Sequence, residues 1–212
     1  MCSGRIDPAF ILRAFSKGAD GVFIGACHLG ECNYITHGNY HTLNMVLLMR
    51  KILGQIGLNP ERLRMTFMSG AEANLFTESV NDFVKKVKEL GRLGKSEGID
   101  EKALQFKLET VTELIPYIRL VERERLRAPV MSEEAYYKFY ASDELNKLFK
   151  ETITDKLAIS QIISLLRERP LSTAEIAKML GLTPSEVSKY LNSSSRQRLV
   201  RYDESEKRYA LA

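Results

Sequence analysis

"GADGVFIGACHLGECNYITHGNYHTLNMVLLMRKILGQIG", residues 18 to 57, decides the fold of the first half of this chain. Its opening, "DGVFIGAC", is a short run of β-branched and aromatic residues behind a glycine, which predicts a buried strand ending on Cys27. Its close, "NYHTLNMVLLMRKILGQIG", has the length and leucine spacing of a helix that stops at Gly57. Working outward, Asp7 before Pro8 marks a helix start, because the aspartate caps free amides and proline has no amide to leave unpaired. "PAFILRAFSKG" then runs to Gly18; after Asn59-Pro60, "RLRMTFMS" alternates as a strand. "AEANLFTESVNDFVKKVKELG" is an amphipathic helix with Leu75, Val80, Phe83, Val84 and Val87 expected toward the core. Helix, strand, helix, strand, helix predicts an α/β fold with a partial parallel sheet of the flavodoxin-like kind. Two parallel strands make a poor sheet, so the domain either lacks its start or borrows strands from another polypeptide.

The remainder divides by composition. Residues 1–94 form the first predicted domain, 95–154 a helical linker region and 155–212 a second domain. "RLGKSEGID", residues 92 to 100, is polar and carries two glycines. Residues 101–127 are a charged helix with Leu104, Leu108, Val111 and Ile115 at helical spacing, kinked or divided by Pro116. Residues 133–151 read as further helix, their tyrosine and phenylalanine cluster as packing; no chemistry is visible there. In the last region three helices close at Pro170, at Gly181 and after "LNSSSRQRLV", with Ser172 and Thr183 as caps and Pro184 at a first helical position. "LVRYDESEKRYAL" then alternates across an acidic turn as a hairpin does. Ala177, Gly181 and Val187 stand where a helix-turn-helix needs a small residue, a turn and a core aliphatic, which predicts a winged helix. Ser185, Ser188, Lys189, Asn192 and Arg196 are its candidate DNA contacts.

Charge excludes little. The net +4 divides into +3, −2 and +3 over the three regions, and no segment has the concentrated positive charge that announces nucleic acid. Without eighteen consecutive apolar residues, or a basic and then apolar start, a cytoplasmic protein with no membrane partner is expected. Three cysteines are too few, and odd in number, for a disulfide framework.

Cys27, Cys32 and all three histidines, His28, His37 and His41, fall within seventeen positions. Four chemistries stay open on the residues alone. The cysteines can be small packed side chains; they can share zinc with two of the histidines; one can be a nucleophile with a histidine base; or they can hold an iron–sulfur centre, since strand-end loops of an α/β domain converge. Cys2, just before a helix start, would lie at the same sheet edge.

"CSGRIDP" (2–8), "GADGV" (18–22), "GACHLGECNYITHGNY" (25–40) and "GLNPERLR" (57–64) together closely resemble the iron–sulfur delta subunit of methyl-viologen-reducing hydrogenase, a family also found joined to or encoded beside heterodisulfide reductase. The resemblance covers about residues 1–93. It implies a non-catalytic electron-transfer subunit of an oxidoreductase complex that carries a 2Fe-2S cluster on Cys2, Cys27 and Cys32. Electrons would pass from a hydrogenase or formate dehydrogenase partner to a flavin-containing, heterodisulfide reductase-like subunit. Family members usually begin with a further strand and helix bearing two more cysteines, and this chain starts at "MCSGR". Three thiols leave a four-ligand cluster one short. The fourth ligand is then a histidine, with His28 the best placed, comes from a separate chain carrying the missing N-terminal half, or does not exist. Arg5 and the other histidines are candidate donors to the cluster sulfurs. The winged helix lies outside the family outline, and it leaves a redox-responsive DNA-binding regulator as the alternative function.

Overall fold

The computed structural model describes residues 2–32 and 38–212, which form two compact units, Met1–Leu148 and Phe149–Ala212. In the first, a 3-10 turn (Ser3–Arg5) leads into helix α1 (Pro8–Ser16), strand β1 (Val22–Ala26), helix α2 (Gly38–Gln55), strand β2 (Leu63–Phe67) and helix α3 (Ala73–Leu90). Asp7 starts α1 as its sequence demands, its carboxylate accepting from the Ala9 amide at 2.8 Å with proline in the first turn. β1 and β2 pair in parallel from Val22 with Leu63 to Ala26 with Phe67, and among the described residues they are the whole sheet. This is the α/β class with a small parallel sheet that the strand–helix alternation predicts. The core lies between the sheet and α1 and α2, where Ile11, Leu12, Phe15, Ile24, Met49, Ile52, Leu53 and Leu63 are buried.

Helix α3 departs from expectation. Of its predicted core face only Phe83 is buried; Leu75, Val80 and Val87 are half-buried and Val84 is 43% exposed. The pattern is amphipathic as read, but a sheet two strands wide offers a helix only a narrow strip to cover.

The residues beyond α3 fold back onto this core. Helices α4 (Glu101–Glu113) and α5 (Ile115–Arg125) are one charged segment divided just before Pro116, which takes the first turn of α5. Leu108, Val111 and Ile115 are buried, and Leu104 is half-buried. Helices α6 (Glu133–Ala141) and α7 (Asp143–Phe149) follow, parted at Ser142. The aromatic cluster packs: Tyr136 stacks on Tyr40 with centroids 6.0 Å apart, and the buried Tyr140 hydroxyl donates to the carbonyls of Asn44 and Leu126.

The second unit opens with a π turn (Lys150–Thr154) and helix α8 (Asp155–Glu168), then α9 (Thr173–Leu180), α10 (Pro184–Arg196) and the antiparallel wing of β3 (Val200–Asp203) and β4 (Arg208–Leu211). Ser172 and Thr183 each form a complete capping box, with Glu175 and Glu186. Gly181 supplies the left-handed turn at φ 67°, while Ala177 and Val187 are buried between the helices. Leu171 exchanges both backbone hydrogen bonds with Tyr209, an antiparallel bridge on the open side of β4. The predicted winged helix-turn-helix is present element by element. No helix among the described residues is long and apolar enough to cross a membrane.

Candidate functional site

The thiols gather where the strands end. β1 stops at Ala26, so Cys27 stands at the C-terminal edge of the sheet, the edge at which open α/β sheets place their ligands. Gly30 at φ 86° then turns the loop through which Cys32 returns. Cys2 caps the 3-10 turn, its sulfur accepting from the Gly4 amide at 3.4 Å. That turn closes on the start of α2: a Cβ on Gly4 would stand 2.6 Å from the Gly38 carbonyl oxygen, so only glycine allows the approach. The result brings the sulfurs of Cys2 and Cys32 to 3.3 Å, close but unbonded.

Cys27 stands at the same edge of the sheet, one residue beyond β1. Burial pushes its thiol above the usual range, and the neighbouring Cys32 and Cys2 thiols push it further because like charges resist a shared site. The Asn39 amide, on the first turn of α2, donates to the Cys27 and His28 carbonyls and approaches the Cys27 sulfur at 3.9 Å. Ser3 Oγ, beside Cys2, is buried without a hydrogen-bond partner. Sulfurs approached by N–H donors, with an unsatisfied hydroxyl next to them, are a donor set that fits a thiolate-bound iron group. Among the described residues no three His, Cys, Asp or Glu side chains are grouped tightly enough to hold a single metal ion.

His28 is tied to the next loop through Nε2. Its Nε2 lies 2.7 Å from the Glu72 carboxylate, which also accepts from the Ser69 amide at 2.6 Å, so loop β1–α2 is tied to loop β2–α3. The Ser69 amide first, and then His28, hold the Glu72 carboxyl down to about 2; Glu72 in turn raises the His28 ring above the ordinary histidine value. His41 lies half-buried in α2, Arg5 is exposed, and His37 lies outside the described residues. Sequence reasoning singles out neither Glu72 nor Asn39. Glu72 stands immediately before a helix and reads as a dipole-favouring acid; Asn39 reads as a helix-start residue. Neither position reveals which loop it will meet.

In the winged helix, Ser185, Lys189, Asn192 and Arg196 are exposed and Ser188 is half-exposed along one face of α10. Two features oppose an anionic partner there. Lys189 Nζ is 3.3 Å from Asp155 Oδ2, and Glu186 is kept below the usual carboxylate range by the Thr183 amide and hydroxyl that it caps.

Two family models match separate stretches of the chain. The model of the methyl-viologen-reducing hydrogenase delta subunit matches residues 1–91. The F420-non-reducing hydrogenase vhu iron-sulfur subunit of Methanopyrus kandleri is 40% identical over 92 residues, 43% of this chain and 69% of that one. The chain belongs to the methyl-viologen-reducing hydrogenase delta-subunit family. Its relatives include the F420-non-reducing hydrogenase iron-sulfur subunit of Archaeoglobus profundus, 44% identical over 90 residues (42% of this chain, 65% of that one). They also include a ferredoxin/F420H2-dependent CoB-CoM heterodisulfide reductase subunit of Methanosarcina acetivorans, 42% identical over 94 residues (44% and 12%). The chain thus spans about two thirds of the hydrogenase subunits and about an eighth of the reductase subunit. Residues 160–202 match the model of bacterial regulatory proteins of the arsR family.

Proposed function

We propose that the chain is a non-catalytic electron-transfer subunit, with a 2Fe-2S cluster held by Cys2, Cys27 and Cys32 and a partner that resembles heterodisulfide reductase. One observation carries the reading: the sulfurs of Cys2 and Cys32, thirty positions apart in sequence, lie 3.3 Å from each other, at the sheet edge where Cys27 follows β1. A two-iron cluster divides its ligands between two metals, so they need not surround one point. Bound there, the cluster would supply a one-electron carrier. The chain's own part is to aim the Gly4 and Asn39 N–H groups at the sulfurs, which favours added negative charge on them. His28 is the fourth ligand in this reading, because Glu72 holds Nε2 and leaves Nδ1 as the coordinating nitrogen. The electron donor is a hydrogenase or formate dehydrogenase, and the acceptor is a flavin-containing reductase protein. The occurrence of related sequence both as a separate hydrogenase subunit and within a heterodisulfide reductase subunit supports that pairing.

Anaerobic reconstitution of the full chain with iron and sulfide should give two irons per chain, visible charge-transfer absorption and a paramagnetic reduced state. Nitrogen hyperfine coupling in that signal, lost in His28→Gln, would support the fourth ligand. A chain that retains no iron under these conditions would refute the reading.

A second reading, a redox-responsive DNA-binding regulator, is favoured by the arsR match and by the exposed row Ser185, Ser188, Lys189, Asn192 and Arg196. If this row reads DNA, changing Lys189 and Arg196 to alanine removes two phosphate contacts and flattens the log–log salt slope by about 2. The expected result is no specific binding at cellular salt, because Asp155 and Glu186 offset the cations of α10. Discrete promoters recovered from native extract, with no redox enzyme alongside, would reverse the ranking.

A further inference from the structure

The Cys2 and Cys32 sulfurs face each other at 3.3 Å across thirty positions of sequence, and each is carried there by a closed turn. Around Cys2, the Arg5 amide donates to the Cys2 carbonyl at 3.1 Å and the Gly4 amide to its sulfur at 3.4 Å. The same turn is pressed so closely on Gly38 that a Cβ at Gly4 has no room, and just beyond it Asp7 caps α1. Cys32 follows a second turn, in which the Glu31 amide donates to the His28 carbonyl at 3.0 Å and Gly30 takes the left-handed conformation. Both cysteines are half-buried, so the fold fixes the sulfurs while a small reagent still reaches them. To reach the length of a disulfide the pair has to close by about 1.3 Å. A thiol held this near acts at an effective concentration above that of a dissolved one, so a mixed disulfide formed at either cysteine is resolved by the other.

We infer that Cys2 and Cys32 form a reversible dithiol–disulfide site, which withholds two ligands from iron when the cluster-free chain meets an oxidant. The oxidant is a low-molecular-weight disulfide. The thiolate of one cysteine attacks it, giving a mixed disulfide and releasing one small thiol. The thiolate of the other cysteine then attacks the sulfur of the first, and the second small thiol leaves. Two electrons and two protons pass from the pair to the oxidant, and an added dithiol reverses the exchange. Cys27, whose sulfur Asn39 Nδ2 approaches at 3.9 Å, keeps its thiol. Disulfide and cluster exclude one another, because the thiolate is the metal ligand and a disulfide sulfur has none to offer. The bond rests on the geometry of the two turns; its effect on iron rests on the proposed function.

The test uses the full chain, iron-free and fully reduced, with glutathione disulfide as probe. The product should be about 2 Da lighter and carry no glutathione. It should retain one titratable thiol of three. Cleavage after lysine, arginine and glutamate parts Cys27 from Cys32 at Glu31, and the linked fragments should be residues 1–5 and 32–50. Cys27→Ser should still form the link, whereas Cys2→Ser and Cys32→Ser should stop at the glutathione adduct. The link should form roughly tenfold faster or more in the folded chain than in urea, where the turns that present the sulfurs are lost. Iron uptake by the oxidised chain should be at least tenfold below that of the reduced chain, and dithiothreitol should restore it. A link through Cys27, adducts without a link, or equal rates with and without urea would overturn the site. Equal iron uptake by the two forms would overturn its hold over iron. A reduced chain that binds no iron refutes the proposed function instead, and the linked fragments and their rate still decide whether the site exists.

Discussion

Arg62→Ala should destabilise the first unit by about 3–5 kcal/mol, the cost of leaving one partner of a buried ion pair alone. Arg62 is 1% exposed, at the entry to β2, and its guanidinium is fully engaged. Nε donates to Glu97 at 2.6 Å; Nη1 donates to the Asp20 and Gly91 carbonyls at 2.9 Å; Nη2 reaches Ser96 Oγ at 2.8 Å and Glu97 again at 3.1 Å. One side chain therefore ties the turn before β1, the end of α3 and the loop before α4 together. Chemical denaturation followed by a first-unit probe should show the loss, and Arg62→Lys should recover little of it because an ammonium cannot fork in this way. The same pair predicts an acid dependence. Burial raises the Glu97 carboxyl, but hydrogen bonds from Arg62 and the Asn59 and Gly94 amides outweigh it and hold the group below its ordinary 4.5. A depressed folded-state value contributes stability above 4.5 that is lost as pH falls through the folded value, and Arg62→Ala should flatten this part of the profile. A change below about 1 kcal/mol would show that the network is not holding the unit.

Cys27→Ser should abolish the reconstituted cluster altogether. Serine keeps nearly the same volume but replaces a soft thiolate donor by a hydroxyl far harder to ionise, and cluster iron prefers thiolate. Cys32→Ser should match it, since the two residues flank one turn. Cys2→Ser should fail equally if the 3.3 Å approach to Cys32 marks a shared site. Far-UV circular dichroism should be unchanged in all three, because the cysteines are only partly buried. Normal charge-transfer absorption in any of them would remove that residue from the site.

Much of this molecule is local in origin and so legible in its residues. Asp7-Pro8, Ser172, Thr183-Pro184 and Gly181 start and stop helices through contacts within a few positions, and the structure realises each of them. The strand–helix alternation of the first unit and the winged helix of the second follow from side-chain periods of two and 3.6. The thiols read as a set because strand ends collect on one edge of a parallel sheet, and the structure brings two of them, Cys2 and Cys32, to 3.3 Å. What the sequence could not disclose depends on which segments meet. "GLNPERLR" reads as a turn and a strand, yet Arg62 is buried because the loop ending at Glu97 closes over it. "RLGKSEGID" reads as a linker, yet it carries the carboxylate that pairs with that arginine. His28 reads as a residue between two cysteines, and nothing near it in sequence announces that its Nε2 pairs with Glu72, forty-four positions away. Val84 reads as core and is exposed, since periodicity states that a face is apolar and not that anything covers it. The sequence by itself determined the elements and their order, because caps and periods act over a few residues. Only the tertiary structure decided the partners of Arg62, His28 and the flank of α3, because a charge or an apolar surface is satisfied by whatever the fold brings within a few ångströms.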